Sequence, residues 1–176
     1  SSEKTDALKK AAAEYKAAFE IARKSHCGAI DALCTWVQLE TVLLATSKSE
    51  KGIGWGKLSP NKYKLPATRT VNSWLDKLLN TDLDPERDYD FWDMLNHSNV
   101  LLTKLCINGT AAVKEADIIA SIKKEWPAAS GKNKLNNGIE YLNMLIAGCE
   151  MSQNSKAKSL GNTLKKLNVL LSKEAE

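Results

Sequence analysis

Six acidic side chains in residues 82–93 have the spacing that a calcium ion needs. Asp or Glu occurs at positions 1, 3, 5, 7, 9 and 12 of this twelve-residue window, the ligand spacing of a calcium-binding helix–loop–helix. Arg87, however, occupies position six, where the sharp turn requires glycine, and Pro85 favours the start of a helix. Capping and the helix dipole explain the same acids. The sequence therefore favours a helix N-terminus over a calcium site.

The four cysteines have the chemistry for thiols, disulfides or metal ligands: Cys27, Cys34, Cys106 and Cys149. The last three lie on apolar helical stripes, which favours buried, reduced thiols that pack as small hydrophobic groups. Two disulfides in a secreted chain are the alternative, and they would lower a mass measured without reductant by roughly 4 Da. The chain has no paired C-x-x-C or H-x-x-x-H spacing, so the sequence predicts no metal site.

Catalytic motifs are weak in this sequence. His26 and His97, the two histidines, belong to no recognisable nucleophile or metal motif. Residues 52–56, Gly-Ile-Gly-Trp-Gly, lack the preceding strand and the spacing of a phosphate-binding loop. Two glycosylation sequons, at Asn96 and Asn108, are about as many as chance gives, and their use stays open. We predict no catalytic residue and no cofactor, and an enzyme would need a histidine and carboxylates to converge in a pocket.

Helical periodicity runs through most of the chain and predicts the elements that must position these residues. Apolar residues recur at three- and four-residue steps in about residues 5–47 and again in residues 68–174. Gly28 either separates two helices or weakens one long helix. A helix starting at Asp84 should continue to the Asn108–Gly109 turn, and the next should stop at Trp126–Pro127. Two heptad stripes, Leu135 to Cys149 and Leu160 to Leu171, predict the last two helices.

Residues 48–67 interrupt this periodicity with three glycines and two prolines, so neither a helix nor a central strand can run through them. We therefore predict an all-α, single-domain bundle of six or seven helices over residues 1–176, with one long irregular basic loop at about 48–67. A loop of that length inside a compact domain is usually functional or disordered. No apolar run approaches the roughly 18–20 residues of a membrane span.

The net charge of +4 is distributed unevenly along the chain. Residues 48–70 hold six basic groups and one acid, residues 71–107 net −4, and residues 152–176 net +3. The loop also carries two aromatic rings, and lysines interleaved with aromatic residues are typical of surfaces that follow a phosphate backbone and stack bases. The predicted binding residues are Lys48, Lys51, Trp55, Lys57, Lys62, Tyr63, Lys64 and Arg69. The loop could instead bind an acidic protein surface or an anionic membrane. A further interpretation is a solvated loop whose Trp55 folds back onto the bundle as an anchor.

The last predicted helix offers a second basic face, formed by Lys156, Lys158, Lys165 and Lys166 beside its leucine stripe. A basic amphipathic helix can bind a partner groove, although such a helix is more often the last member of a bundle with a solvated face.

Together these features predict a non-catalytic helical interaction or assembly protein. Its expected partner is anionic, with nucleic acid first, as in a nucleocapsid or coat subunit, and an acidic protein surface next; homo-oligomers would also suit the apolar helices. The alternative is a secreted or cell-surface bundle with disulfides that recognises a partner protein. The apolar setting of the cysteines favours an intracellular location over a secreted one, and both stay open.

Overall fold

The computed structural model describes residues 2–24, 29–46, 66–79, 91–109, 113–129, 131–153 and 155–175. Its helical segments are α1 (Ser2–Ala22), α2 (Ala29–Thr46), α3 (Thr68–Leu79), α4 (Phe91–Met94), α5 (Asn96–Asn108), α6 (Glu115–Ala129), α7 (Lys132–Glu150) and α8 (Ser155–Ala175). No strand occurs in these ranges, and α4 is a single turn. The predicted all-α bundle is confirmed. Residues 47–65, which contain most of the predicted loop, lie outside the described residues.

The most buried helix is α2, which packs against α1, α3, α4, α5 and α7. Of the 18 residues of α2, only Asp31 and Glu40 are charged, so apolar side chains cover nearly the whole circumference of the helix. A helix that is apolar on all sides is stable only when neighbours surround it. The stripe predicted for α1 packs on α2, with Leu8, Ala12 and Phe19 buried. Helix α1 ends at Ala22 and α2 begins at Ala29, so the structure has two helices where Gly28 left the choice open.

The α7–α8 pair closes the other side of the bundle along the two predicted heptad stripes. All four leucines of the α8 stripe, from Leu160 to Leu171, are buried. Glycines allow the helices to approach closely: a Cβ on Gly148 would lie 2.1 Å from Val42 Cγ1, and one on Gly161 would lie 3.0 Å from Cys149 Cβ. In the described ranges, no helix is both long enough and apolar enough to cross a membrane.

The single helix predicted from Asp84 to the Asn108–Gly109 turn is wrong at Leu95, where the backbone leaves the helical conformation at φ −94° and ψ 49°. This break separates α4 from α5, and Glu125 of α6 accepts hydrogen bonds from N–H groups that the break leaves free at the start of α5. The predicted end is confirmed, since Gly109 follows α5 with a φ of +75°. Residues 80–90, which include Asp84, lie outside the described residues.

The predicted stop of the following helix at Trp126–Pro127 is also wrong, because α6 continues to Ala129. Pro127 lies in the last turn of α6, and its missing N–H removes one helical hydrogen bond. Because the helix ends two residues later, this loss affects no further turn.

Candidate functional site

The predicted basic loop falls almost entirely outside the described residues. Seven of its eight predicted binding residues lie there: Lys48, Lys51, Trp55, Lys57, Lys62, Tyr63 and Lys64. The eighth, Arg69, is an exposed residue in the first turn of α3. Arg69 therefore places an exposed cation at the start of α3.

The outer face of α3 continues this basic surface. Arg69, Ser73 and Lys77 follow one another at four-residue steps and are exposed, while Val71, Leu75 and Leu78 on the other side are buried. The acid on this face is Asp76, whose Oδ1 lies 3.0 Å from the Nζ of Lys104 on α5. Because Lys104 offsets that carboxylate, the face keeps a positive balance.

The C-terminal end of α1 brings a further cation to α3. The Arg23 guanidinium lies over the ring of Trp74, 5.8 Å from the ring centroid. Trp74 is partly buried and packs against Phe19 with 5.2 Å between the ring centroids. Lys77 is three residues after Trp74 and so is its neighbour on the helix surface. The partly exposed indole thus has two cations beside it, Arg23 just after the end of α1 and Lys77 on α3.

A second cation–aromatic contact lies deeper between α1 and α2. The Nζ of Lys16 lies 5.5 Å from the centroid of the Trp36 ring, and Trp36 packs on Phe19. Burial raises the pKa of the nearby Glu40 carboxyl, while the Trp36 side chain and the charge of Lys16 partly oppose this increase. This cluster fastens α1 to α2, since both the rings and the charges come from the two helices.

The predicted second basic face lies on α8. Lys158, Lys165 and Lys166 are exposed on the side opposite the leucine stripe, and Lys173 shares that side; the side chain of Lys156 is not described. Residues 155–173 contain no acid, yet two of the lysines pair with neighbouring helices. Lys165 Nζ lies 2.6 Å from Glu150 of α7, and Lys166 Nζ lies 3.0 Å from Glu115 of α6.

A buried polar network joins α2, α5 and α7. The amide nitrogen of Gln38 donates to Asn99 Oδ1 at 2.7 Å and to Thr103 Oγ1 at 2.8 Å. The hydroxyl of Tyr141 donates to the amide oxygen of Gln38 at 2.7 Å. Burial, reinforced by the neighbouring Cys106 thiol, raises the pKa of Tyr141 well above its usual range. Tyr141 therefore remains a neutral donor at physiological pH.

Glu125 of α6 occupies the N-terminus of α5. One carboxylate oxygen accepts the backbone N–H of His97 at 2.9 Å, and the other accepts the N–H of Ser98 at 2.9 Å. The hydroxyls of Ser98 and Ser121 also contact this carboxylate. His97 itself is exposed at the rim of an open groove between α5 and α6. The serines and the glutamate are thus engaged in a helix cap, which is a structural use of these groups.

The three described cysteines are free thiols and buried, as predicted from their apolar stripes. Burial and the nearby thiols of Cys149 and Cys34 raise the pKa of Cys106, and burial raises the pKa of Cys149 to about 12.

Cys27 and His26 lie outside the described residues, as does most of the acidic window at 82–93. Within the part of the chain that is described, no three His, Cys, Asp or Glu residues are grouped to hold a metal ion.

Sequence reasoning missed the Arg23–Trp74 contact. The amphipathic pattern assigns Trp74 to the apolar stripe of α3, and its proximity to Lys77 can be read from the three-residue spacing. No spacing signal connects Arg23 to Trp74, because they are 51 positions apart in the sequence.

Comparison of the chain with protein-family models, with curated proteins and with solved structures gave no match. The fold defines the chain as an all-α helical bundle.

Proposed function

We propose that this chain is a non-catalytic helical interaction or assembly protein that binds an anionic partner, with nucleic acid first, as a nucleocapsid or coat subunit does. The observation that carries the proposal is the concentration of charge in residues 48–70, where six basic groups meet one acid and two aromatic rings. Such a segment supplies both electrostatic attraction to phosphates and surfaces for base stacking.

The described residues support this proposal at the junction between loop and bundle. Arg69 and Lys77 are exposed on α3, and the acid beside them, Asp76, is paired with Lys104. A phosphate approaching α3 therefore meets cations without an uncompensated carboxylate on that helix face.

The α8 face is the weaker of the two predicted surfaces. Glu150 and Glu115 already contact Lys165 and Lys166, so a phosphate would have to compete with these carboxylates. Lys158 and Lys173 are exposed beside them on α8. We assign this face a secondary role, in which it adds nonspecific attraction.

The experiment is a salt titration of binding to RNA and single-stranded DNA by the wild type and by a Lys57→Gln, Lys62→Gln, Lys64→Gln variant. Removing one lysine–phosphate interaction should reduce the slope of log affinity against log salt by about 0.7, so the triple variant should lose up to about 2. A Lys4→Gln, Lys9→Gln, Lys10→Gln variant on the exposed face of α1 makes the same charge change elsewhere and should keep the wild-type slope.

The proposal fails if the purified wild-type protein has no salt-sensitive affinity for either strand. It also fails if the control triple variant loses as much slope as the loop variant, because net charge would then explain the binding without a site.

A further inference from the structure

Where α1 and α3 meet, the Trp74 ring is partly exposed and has cationic side chains beside it. The Arg23 guanidinium lies 5.8 Å from the centroid of the Trp74 ring, and Lys77 lies beside Trp74 one helical turn further along α3. Phe19 supports the ring from the core at 5.2 Å between centroids. The indole is therefore held in place from one side, while its surroundings toward solvent are cationic.

The acids near this ring are engaged by nearby cations. Glu20 Oε2 lies 3.4 Å from Arg23 Nε, and both side chains are nearly half exposed, so the pair is weak. Asp76 lies 3.0 Å from Lys104. Two further cations are exposed: Lys24 follows Arg23 in the chain, and Lys77 lies three residues after Trp74 on α3. The balance of charge around Trp74 is positive.

We propose that the Arg23–Trp74 pair is a stacking site for a base of single-stranded nucleic acid, with Lys77 contacting the adjacent phosphate. The proposal rests on the proposed function and names a site for it among the described residues. Unpaired bases stack on aromatic rings and on guanidinium planes, and the guanidinium of Arg23, held over the Trp74 ring, offers such a plane. An acidic peptide would need the cations alone, whereas a base also uses this flat guanidinium and the ring that supports it.

The test compares binding of a 20-nucleotide oligo-dT with binding of an abasic strand of the same length, so that phosphate contacts are equal. Wild-type protein should prefer the strand with bases by about tenfold or more. Trp74→Leu should lower this preference at least about threefold, while Trp74→Phe, which keeps a ring, should retain most of it. A merely structural role of Trp74 would lower affinity for both strands equally.

Arg23→Lys separates stacking from charge, because lysine keeps the charge and lacks the guanidinium plane. This variant should keep the salt slope and lose base preference. Lys77→Gln should do the opposite, with a slope smaller by about 0.7. The matched control is Lys4→Gln near the start of α1, 19 positions before Arg23 and therefore roughly 28 Å away along the helix axis, which should change neither quantity. Thermal unfolding of each variant verifies that it is folded at the assay temperature.

The stacking site is overturned if Trp74→Leu and Arg23→Lys, both folded, keep the wild-type base preference, or if a polyglutamate peptide competes as well as oligo-dT does at equal charge. In these cases the loop can still bind nucleic acid. If the wild type binds neither strand in a salt-sensitive way, the proposed function fails and the stacking site fails with it.

Discussion

Glu40 shows how a single position in the bundle balances burial against charge. It is a charged residue on the mostly apolar helix α2, and burial raises the pKa of its carboxyl. The Trp36 side chain and the charge of Lys16 favour the ionised form, but these effects are smaller than the cost of burial. The folded protein therefore binds the Glu40 proton more tightly than the unfolded chain does.

This difference predicts a pH-dependent effect of Glu40→Gln. In the wild type, the free energy of unfolding should decrease as the pH rises from the usual carboxyl range through the raised pKa, because ionisation is costlier in the folded state. Glutamine cannot ionise and has nearly the same size and shape as glutamate. The free energy of unfolding of the variant minus that of the wild type, measured in urea, should therefore be larger at pH 7 than at pH 4. Glu14→Gln, on the exposed face of α1, is the control, and an equal effect of Glu40→Gln at both pH values would contradict the argument.

At the scale of the element, α5 depends on a residue from another helix to begin. Its N-cap position, Leu95, has no side-chain oxygen, and no capping hydrogen bond comes from within the helix. Glu125 supplies the acceptors instead, because α6 packs against α5 and brings its carboxylate to the free N–H groups. A negative charge at this end is also favoured by the helix dipole.

Glu125→Ala should therefore lower the free energy of unfolding by about 1–2 kcal/mol, the usual cost of losing an N-cap. Glu125→Gln keeps one carbonyl oxygen and should cost less, because at least one N–H keeps an acceptor. Chemical denaturation of the three proteins measures the differences. Equal stability of the alanine variant and the wild type would show that water replaces the carboxylate at no cost.

At the scale of the whole molecule, Gln38 ties three helices together in the core. Its amide contacts Asn99 and Thr103 on α5 and Tyr141 on α7, and its own side chain is fully buried. Apolar stripes alone tolerate a shift in register between helices, whereas hydrogen bonds of fixed direction do not. We infer that this network selects one arrangement of α2, α5 and α7.

A double-mutant cycle between Gln38→Leu and Tyr141→Phe tests this coupling. Each single change leaves a buried polar partner without its hydrogen bond and should cost about 1–3 kcal/mol. The double variant should be more stable than the sum of the single effects indicates, with a coupling of at least about 0.5 kcal/mol, because the shared hydrogen bond is removed only once. Strict additivity would mean that the two side chains act independently.

Periodicity and composition predicted the helices because helix formation depends on neighbours three and four residues apart. The stripes of α7 and α8, the Gly109 end of α5 and the buried thiols of Cys106 and Cys149 follow from such local patterns. Arg69 was predicted as a binding residue from charge, and its exposure on α3 agrees with that assignment without testing it. The remaining loop residues stay predictions, since they lie outside the described residues.

The sequence by itself determined the helical class and the segregation of charge, because both are properties of short stretches of chain. Tertiary structure alone decided the break at Leu95, the cap from Glu125 and the meeting of Arg23 with Trp74. The cap and the cation–aromatic contact join residues 27 or more positions apart, and no local preference specifies which distant groups will meet. Packing of the apolar stripes brings them together, and the polar contacts then form between the neighbours that packing provides.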